Sequence, residues 1–359
     1  MTRRAAHAPY KGLTDHPAYQ WWRDPTIWQP DSWWGSARTD AGIGEEIAVL
    51  RELGARLFRV ELPWRAVAPE RPGGARYDPD AARDPEWSGY RWERWDLIVR
   101  LAADAGIALV PQVVYAPEWS TGLPAAGHGG APPGDAAHFA DLMTALGRRY
   151  RGRVHFWELW NEPDHAHTWS GSLAEYVALV LRPGAAALRA ADPDGAVLVG
   201  GLVDARNLAA VYAAGGGPWF DIASVHAYPR WPGVWGAERV RLRLRRARAI
   251  MRGHGDDAKP LWLTEFGAAT RVSDPPDGRD HVTSEAGQAR FIREVYGMVE
   301  AEAIFLYQLR DAVIRDAGDR PLKRVYWGIM GADAQARKLG FDAYRAVPSP
   351  PLDVPPTLA

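Results

Sequence analysis

Two glutamates, Glu162 and Glu265, each close a short apolar stretch: Phe156-Trp157-Glu158-Leu159-Trp160-Asn161-Glu162-Pro163 and Leu261-Trp262-Leu263-Thr264-Glu265-Phe266-Gly267. Carboxylates set in apolar sequence are costly unless they are paired or used. Pro163 steers the residue before it away from the right-handed helical region, which predicts that Glu162 is extended with its side chain aimed. Asn161 beside it offers an amide that can both donate and accept. The structural alternative is that both acids form buried ion pairs with arginines. The chemical one is a pair in which a carboxylic acid hands over a proton while a carboxylate faces the other side of the reacting carbon. Cleavage of a glycosidic bond through an oxocarbenium-like transition state needs that arrangement, and a separation of about 5 to 5.5 Å makes the carboxylate a nucleophile and retains configuration.

Acids so placed need strands that end together. The chain repeats one module: an amphipathic helix, a short Gly- or polar-marked turn, then an apolar strand. It runs through helix 45–53 with strand 57–62, helix 92–105 with strand 107–115, helix 138–150 with strand 154–160, and helix 173–191 with strand 196–200. Arg182-Pro183-Gly184 should kink the last of these helices. Strands at 220–227, 261–266 and 303–309 follow, separated by helical patterns at 238–252 and 284–300. Alternating βα units with apolar strands predict a parallel sheet with helical crossovers, and this many in succession without a boundary favour an α/β fold of the closed (β/α)8 TIM barrel type. The remaining strand is expected upstream of Asp40, near Thr26 to Gln29. Long strand-to-helix connections, 65–91, 116–137, 228–237 and 268–283, predict a built-up site at the carboxyl ends of the strands, where barrels carry their chemistry. Residues 1–346 are thus expected to form one barrel, with 1–39 an aromatic-rich segment containing or preceding the first strand. The Pro-rich tail 347–359 is expected to be a loose extension.

Composition narrows the classes. With 43 Lys+Arg against 44 Asp+Glu, the net charge of -1 leaves no footprint for nucleic acid. The most basic stretch, Arg239 to Arg252, interleaves apolar residues and reads as a solvated helix face. Zero cysteines remove disulfides, thiolate metal sites and cysteine nucleophiles together. No apolar run reaches membrane-spanning length, and the start lacks a signal-like apolar region, so a cytoplasmic protein is expected, or a secreted one if the native N-terminus is missing. No cofactor and no metal are called for: Asp164, His165 and His167, three donors in one loop, are weak evidence for zinc. Oligomeric state is not legible.

Trp160-Asn161-Glu162-Pro163 on a fourth strand, with Thr264-Glu265-Phe266-Gly267 on a seventh, resembles the superfamily of retaining glycoside hydrolases, clan A, that carry both glutamates on strands four and seven. The nearest in look are family 5, the cellulase and mannanase type, and family 39, the xylosidase type, over roughly Asp40 to Ala346. The resemblance implies that Glu162 is the acid/base, Glu265 the nucleophile and Asn161 the ligand of the sugar 2-hydroxyl. Arg59, in Phe58-Arg59-Val60-Glu61-Leu62, matches a second-strand arginine that steadies the nucleophile; the alternative is a floor salt bridge with Glu61 or Glu158. His226 and Tyr228, in His226-Ala227-Tyr228-Pro229, match a sixth-strand His-x-Tyr in which the tyrosine bonds the nucleophile and the histidine lines the sugar site. Two departures concern the substrate and leave the pair intact. Strand three ends Val113-Val114-Tyr115-Ala116-Pro117-Glu118-Trp119 where family 5 usually has a histidine, and strand eight ends Tyr307-Gln308 where it usually has a tryptophan.

Pyranose rings stack on aromatics, and many of the 18 tryptophans fall in the predicted strand-to-helix loops: Trp64, Trp87, Trp119, Trp160, Trp169, Trp231, Trp235 and Trp327. Trp119, Trp169 and Tyr307 are the aromatic candidates for substrate contact; Trp21, Trp22, Trp28, Trp33 and Trp34 are expected to plug or flank the barrel. Glu61, Glu118 and Asp311 are expected to support the pair. The expected function is retaining hydrolysis of β-linked glycosides or oligosaccharides. The same residues could serve a transglycosylase, and a catalytically silent carbohydrate-binding barrel is the alternative from another class.

Overall fold

The first strand lies well upstream of the place expected for it. The computed structural model describes residues 8–15, 40–123, 130–230, 236–276, 281–298, 300–315, 321–332 and 336–352, and in it β1 is Tyr10–Asp15. The stretch Thr26 to Gln29, and the five early tryptophans with it, lie outside the described residues. After β1 come β2 (Leu57–Pro63), β3 (Ala108–Val114), β4 (Phe156–Leu159), β5 (Ala196–Val199), β6 (Ala223–Ala227), β7 (Leu261–Phe266) and β8 (Ala303–Tyr307). They form one parallel sheet in the order β5-β4-β3-β2-β1-β8-β7-β6. Parallel bridges from Leu198 to Ile222 and from Leu202 to Val225 join its two edges, so the sheet closes into a (β/α)8 barrel.

Around it run α1 (Asp40–Glu52), α2 (Glu93–Asp104), α3 (Ala136–Tyr150), α4 (Arg182–Ala191), α5 (Leu208–Ala213), α6 (Gly236–Gly253), α7 (Glu285–Tyr296) and α8 (Leu339–Arg345). The helix expected at 173–191 is composite: a turn at Leu173–Tyr176 with a Ser172/Glu175 capping box, a π turn at Val177–Leu181, then α4. Pro183 falls in the first turn of α4, just past the widened π turn, where its missing N–H is least costly. The arginines of α6 pair with Glu238, Glu300, Glu302 and Asp257, so most of that face is balanced by acids. No helix among the described residues is long and apolar enough to cross a membrane.

Strand side chains alternate between two apolar regions, as the period of two requires. Phe58, Val60, Trp157, Leu159, Val225, Leu263 and Leu306 pack outward against the helices. Leu57, Val110, Phe156, Leu198, Ile222, Trp262 and Phe305 fill the barrel interior. Gly12 admits Phe305 into it: a Cβ there would stand 2.4 Å from the Phe305 ring. Two residues further along five of these strands the inward position turns polar: Arg59, Gln112, Glu158, Ser224 and Thr264, all 0% exposed.

Two late elements were not expected. A hairpin of β9 (Ala312–Arg315) and β10 (Pro321–Val325) bridges to the loop after β7 through Asp274 and Arg324. Helix α8 packs on α7, and Tyr344 and Tyr296 both donate to the Gly12 carbonyl of β1. Lys11, 2% exposed, donates from Nζ to the carbonyls of Tyr344 and Val347 at the end of α8, at 3.2 and 2.9 Å. Burial lowers its pKa to about 8, helped by Arg56. Contrary to the loose extension expected from residue 347, Val347 is buried, Ser349 Oγ accepts from the Lys11 N–H, and Leu352 packs against the interior cluster. Residues 353–359 lie outside the described part.

Candidate active site

The polar layer converges on Arg59. Its Nε donates to Glu158 at 2.5 Å, Nη1 to Glu265 at 2.5 Å and Nη2 to Asn161 Oδ1 at 2.8 Å. The two readings of this arginine therefore hold at once: it is a floor ion pair and a brace for Glu265. The floor partner is Glu158, whose other oxygen accepts from the Gly201 N–H at 2.8 Å and from Ser224. Glu61 instead accepts from the Tyr115 hydroxyl at 2.9 Å. Burial works against the charge on Arg59, but Glu158 and Glu265 outweigh it and raise its pKa above the usual value. Gln112 lies in hydrogen-bond reach of Asn161, at 3.0 Å. With the donor Arg59 Nη2 on its oxygen, the Asn161 NH2 end is left to donate.

Glu265 reaches the interior through a bulge. Val225 pairs with Leu263 but His226 pairs with Glu265, so Thr264 is the extra residue of β7. Without it, Glu265 would follow the alternation and face the helices. Gly267 then lets β7 approach β8, since a Cβ there would stand 2.3 Å from the Tyr307 carbonyl oxygen. The Tyr228 hydroxyl donates to Glu265 Oε2 at 2.6 Å, so Arg59 and Tyr228 take one oxygen each.

Glu162 is not extended, as Pro163 alone would suggest. Its φ is +46°, and that of Trp160 is +78°. Pro163 closes only the right-handed region, and the left-handed one is held by the loop that follows: the Glu162 carbonyl accepts from the His165 N–H at 2.9 Å and from Thr168 Oγ1 at 2.7 Å. Trp160 Nε1 donates to the Thr168 carbonyl, closing the same loop. The side chain faces His226, whose Nδ1 lies 2.8 Å from Glu162 Oε1 and 3.5 Å from Glu265 Oε2. His226 Nε2 is 3.2 Å from Arg59 Nη2, which can only donate. Nε2 therefore accepts, the ring proton sits on Nδ1, and the neutral ring donates toward Glu162. Gly201 makes room for that ring, because a Cβ there would lie 2.1 Å from Nε2.

The aromatic candidates divide. Trp169 is 2% exposed, donates to the Ser172 carbonyl and packs on Trp160 and Tyr176, so it is loop core and not a sugar contact. Trp119 is partly exposed, donates to the Ala68 carbonyl and packs on Trp64, Tyr77 and His138. Trp64 is buried and Trp87 packs on Tyr90; Trp231 and Trp235 lie outside the described residues. Tyr307, 3% exposed, does reach the site region, edge-on to Tyr228 and beside Trp327. Trp327 and His281 complete that wall against Tyr228, with ring centroids 5.4 and 6.3 Å away. The sequence counted Trp327 among the loop tryptophans, but nothing in it marked His281, whose loop is placed by the unexpected hairpin.

Asp164 and the two histidines do not form a metal site. Asp164 accepts from the N–H groups of Val203 and Asp204 and from Asn207 Nδ2, while His165 stands 3.9 Å from Glu162, partly exposed. Glu162, His226 and Glu265 bring donor atoms within 4.8 Å of one another, a spacing a cation could use. Several of these atoms already have partners: Arg59 and Tyr228 each donate to one oxygen of Glu265, and His226 lies between Arg59 and Glu162. A cation would also sit against the Arg59 guanidinium. Of the supporting acids, Asp311 holds Lys338 at 2.7 Å and the Gly328 N–H. Glu61 and Glu118 face Arg65 near Tyr115, whose own pKa burial and Glu61 push well up.

No family model and no curated protein matches the chain. Solved structures do match at the level of fold. A family 39 β-xylosidase from Caulobacter crescentus superposes with a TM-score of 0.63 at 20% identity, over 95% of this chain and 71% of that one. A family 39 glycoside hydrolase from Bacteroides cellulosilyticus WH2 gives 0.62 at 18%, over 95% and 64%. A glucosidase from Croceicoccus marinus gives 0.61 at 16%, over 84% and 62%. The chain thus spans just under two thirds of the length of the last two. It shares their barrel fold, the fold that the strand-four and strand-seven motifs imply.

Proposed function

We propose that this chain is a retaining glycoside hydrolase acting on β-linked glycosides or oligosaccharides. The observation that carries the reading is the approach of the two carboxylates: oxygens of Glu162 and Glu265 lie within 4.8 Å of each other. That favours direct attack by one of them over the gap of about 6.5 to 9.5 Å that would admit a water between them. Glu265, held by Arg59 and Tyr228, attacks the anomeric carbon as the glycosidic C–O bond breaks, and Glu162 gives its proton to the departing oxygen. Water then attacks the same carbon, Glu162 takes its proton, and the bond to Glu265 breaks. Glu162 is the more open acid, 18% exposed against 6% for Glu265, which suits the group that must meet both leaving group and water. The Asn161 NH2 is the donor for the sugar 2-hydroxyl, and Tyr228, Tyr307 and Trp327 form the apolar wall for the ring.

The matched structures include β-xylosidases and a glucosidase, so aryl β-xyloside and β-glucoside head the test panel, followed by galactoside, mannoside, glucuronide, arabinoside and cellobioside. Turnover by the wild type, its loss in Glu265→Ala and rescue by azide to a glycosyl azide of inverted configuration are expected. Turnover retained by Glu265→Ala would sink the assignment. Added acceptor sugars distinguish hydrolysis from transfer.

A further inference from the structure

Arg243 belongs to the arginine-rich face of α6 that the sequence reads as solvated. Unlike its neighbours it turns inward: Nη1 donates to the Val203 carbonyl at 2.7 Å and to the His226 carbonyl at 2.9 Å. Burial lowers its pKa, opposed by Asp204 and Asp164, with Arg246 and Arg206 adding to the lowering. One nitrogen thus joins the end of β6 to the loop after β5. The loop after β4 is tied into the same knot by Asp164, two residues beyond Glu162. Its carboxylate accepts from the Val203 N–H at 3.0 Å, the Asp204 N–H at 2.9 Å and Asn207 Nδ2 at 2.9 Å.

We propose that Arg243 is a positioning residue, which holds the backbone of His226 and so sets the imidazole Nδ1–H against Glu162. The inference rests on the glycosidase reading above for its catalytic meaning, though not for its geometry. The His226 ring is confined on three sides: by Arg59 from β2, by Glu162 from the loop after β4 and by Glu265 from β7, with Gly201 in contact behind Nε2. A ring so tightly fitted tolerates little backbone movement. Arg243 and Asp164 fix that backbone and the adjoining loops from outside the barrel, without touching either carboxylate. A shift of a fraction of an ångström at His226 would loosen its bond to Glu162, the group that changes protonation twice per cycle.

The test pairs activity with a direct view of the ring. In histidine-labelled protein, nitrogen–proton correlation spectra assign His226 by the loss of its signals in His226→Asn. The wild type should show a neutral ring with its proton on Nδ1. In Arg243→Met that single tautomer should give way to an averaged one, while kcat/KM falls about 10- to 100-fold with most of the loss in kcat, and the pH–rate profile shifts. Arg243→Lys, which keeps one donor, should recover part of both signals. Asp164→Asn should move them in the same sense by less, and it provides the reading should Arg243→Met not fold. An unchanged His226 spectrum in the folded variants overturns the proposal, whatever happens to activity. So does a changed spectrum with full activity. A wild type silent on every glycoside, combined with a His226 spectrum that responds to Arg243, would refute the glycosidase reading and leave the positioning intact.

Discussion

Two layers of the barrel interior sit two residues apart on the same strands, roughly 6.6 Å of rise. Below are Leu57, Phe156, Ile222 and Phe305; above are Arg59, Glu158 and Ser224. The lower layer is packed without a charge. The upper one confines an arginine between two glutamates, with no exposure of Arg59 or Glu158. Packing in the lower layer stabilises whatever the upper one does. In the upper layer both acids depend on the one arginine, because removing it leaves them buried and uncompensated.

That contrast can be broken at its extremes. Glu265→Ala should abolish turnover by several orders of magnitude on the best aryl glycoside, measured by steady-state kinetics, while the folded fraction survives. Arg59→Met should cost both properties: about 3 to 5 kcal/mol of stability by denaturant melts, for the stranded Glu158 and Glu265, and most of the activity. Phe305→Ala in the lower layer should cost a similar 3 to 5 kcal/mol or so. Its activity per folded molecule should nevertheless match the wild type, and a large loss would mean that the layers are not separable. Gly201→Ala forces a methyl into His226 and should cost about 1 to 3 kcal/mol by thermal melts. It should also lower kcat more than it raises KM.

The smallest effect belongs to Lys11, at the lower end of the barrel. Its pKa of about 8 lies below that of an unfolded lysine, so between the two values the unfolded chain binds more protons than the folded one. Its contribution to stability therefore rises with pH from about 8 toward 10. Lys11→Met should flatten that rise in chemical melts taken across the window, and an unaltered slope would assign it to other groups.

What the sequence made legible follows the same division. Glu162 and Glu265 stood out because an acid ending an apolar strand is chemically conspicuous, and Arg59 for the same reason within Phe58-Arg59-Val60. Seven strands were visible as apolar runs. The eighth, Tyr10–Asp15, was not, because Lys11, Gly12 and Thr14 break its apolar character and its burial comes from partners that lie hundreds of residues away. Trp169 was misassigned because composition cannot distinguish a tryptophan that stacks on a ligand from one that packs edge-on against Trp160. The left-handed turn at Glu162 was hidden because its cause is Thr168, six residues on. His226 was legible as a residue, but Arg243 and Gly201, which hold its ring in place, act through a backbone carbonyl and an absent side chain.

The closure of the barrel also dictates an order of events during synthesis. Gly12 pairs with Leu57 on one side and with Phe305 on the other, and receives hydroxyls from Tyr296 and Tyr344. β1 therefore keeps one edge unsatisfied until β8, the partner on its other side, has emerged. Such an edge is a template for pairing with another nascent copy. The yield of folded protein should accordingly respond to translation speed and chaperone supply.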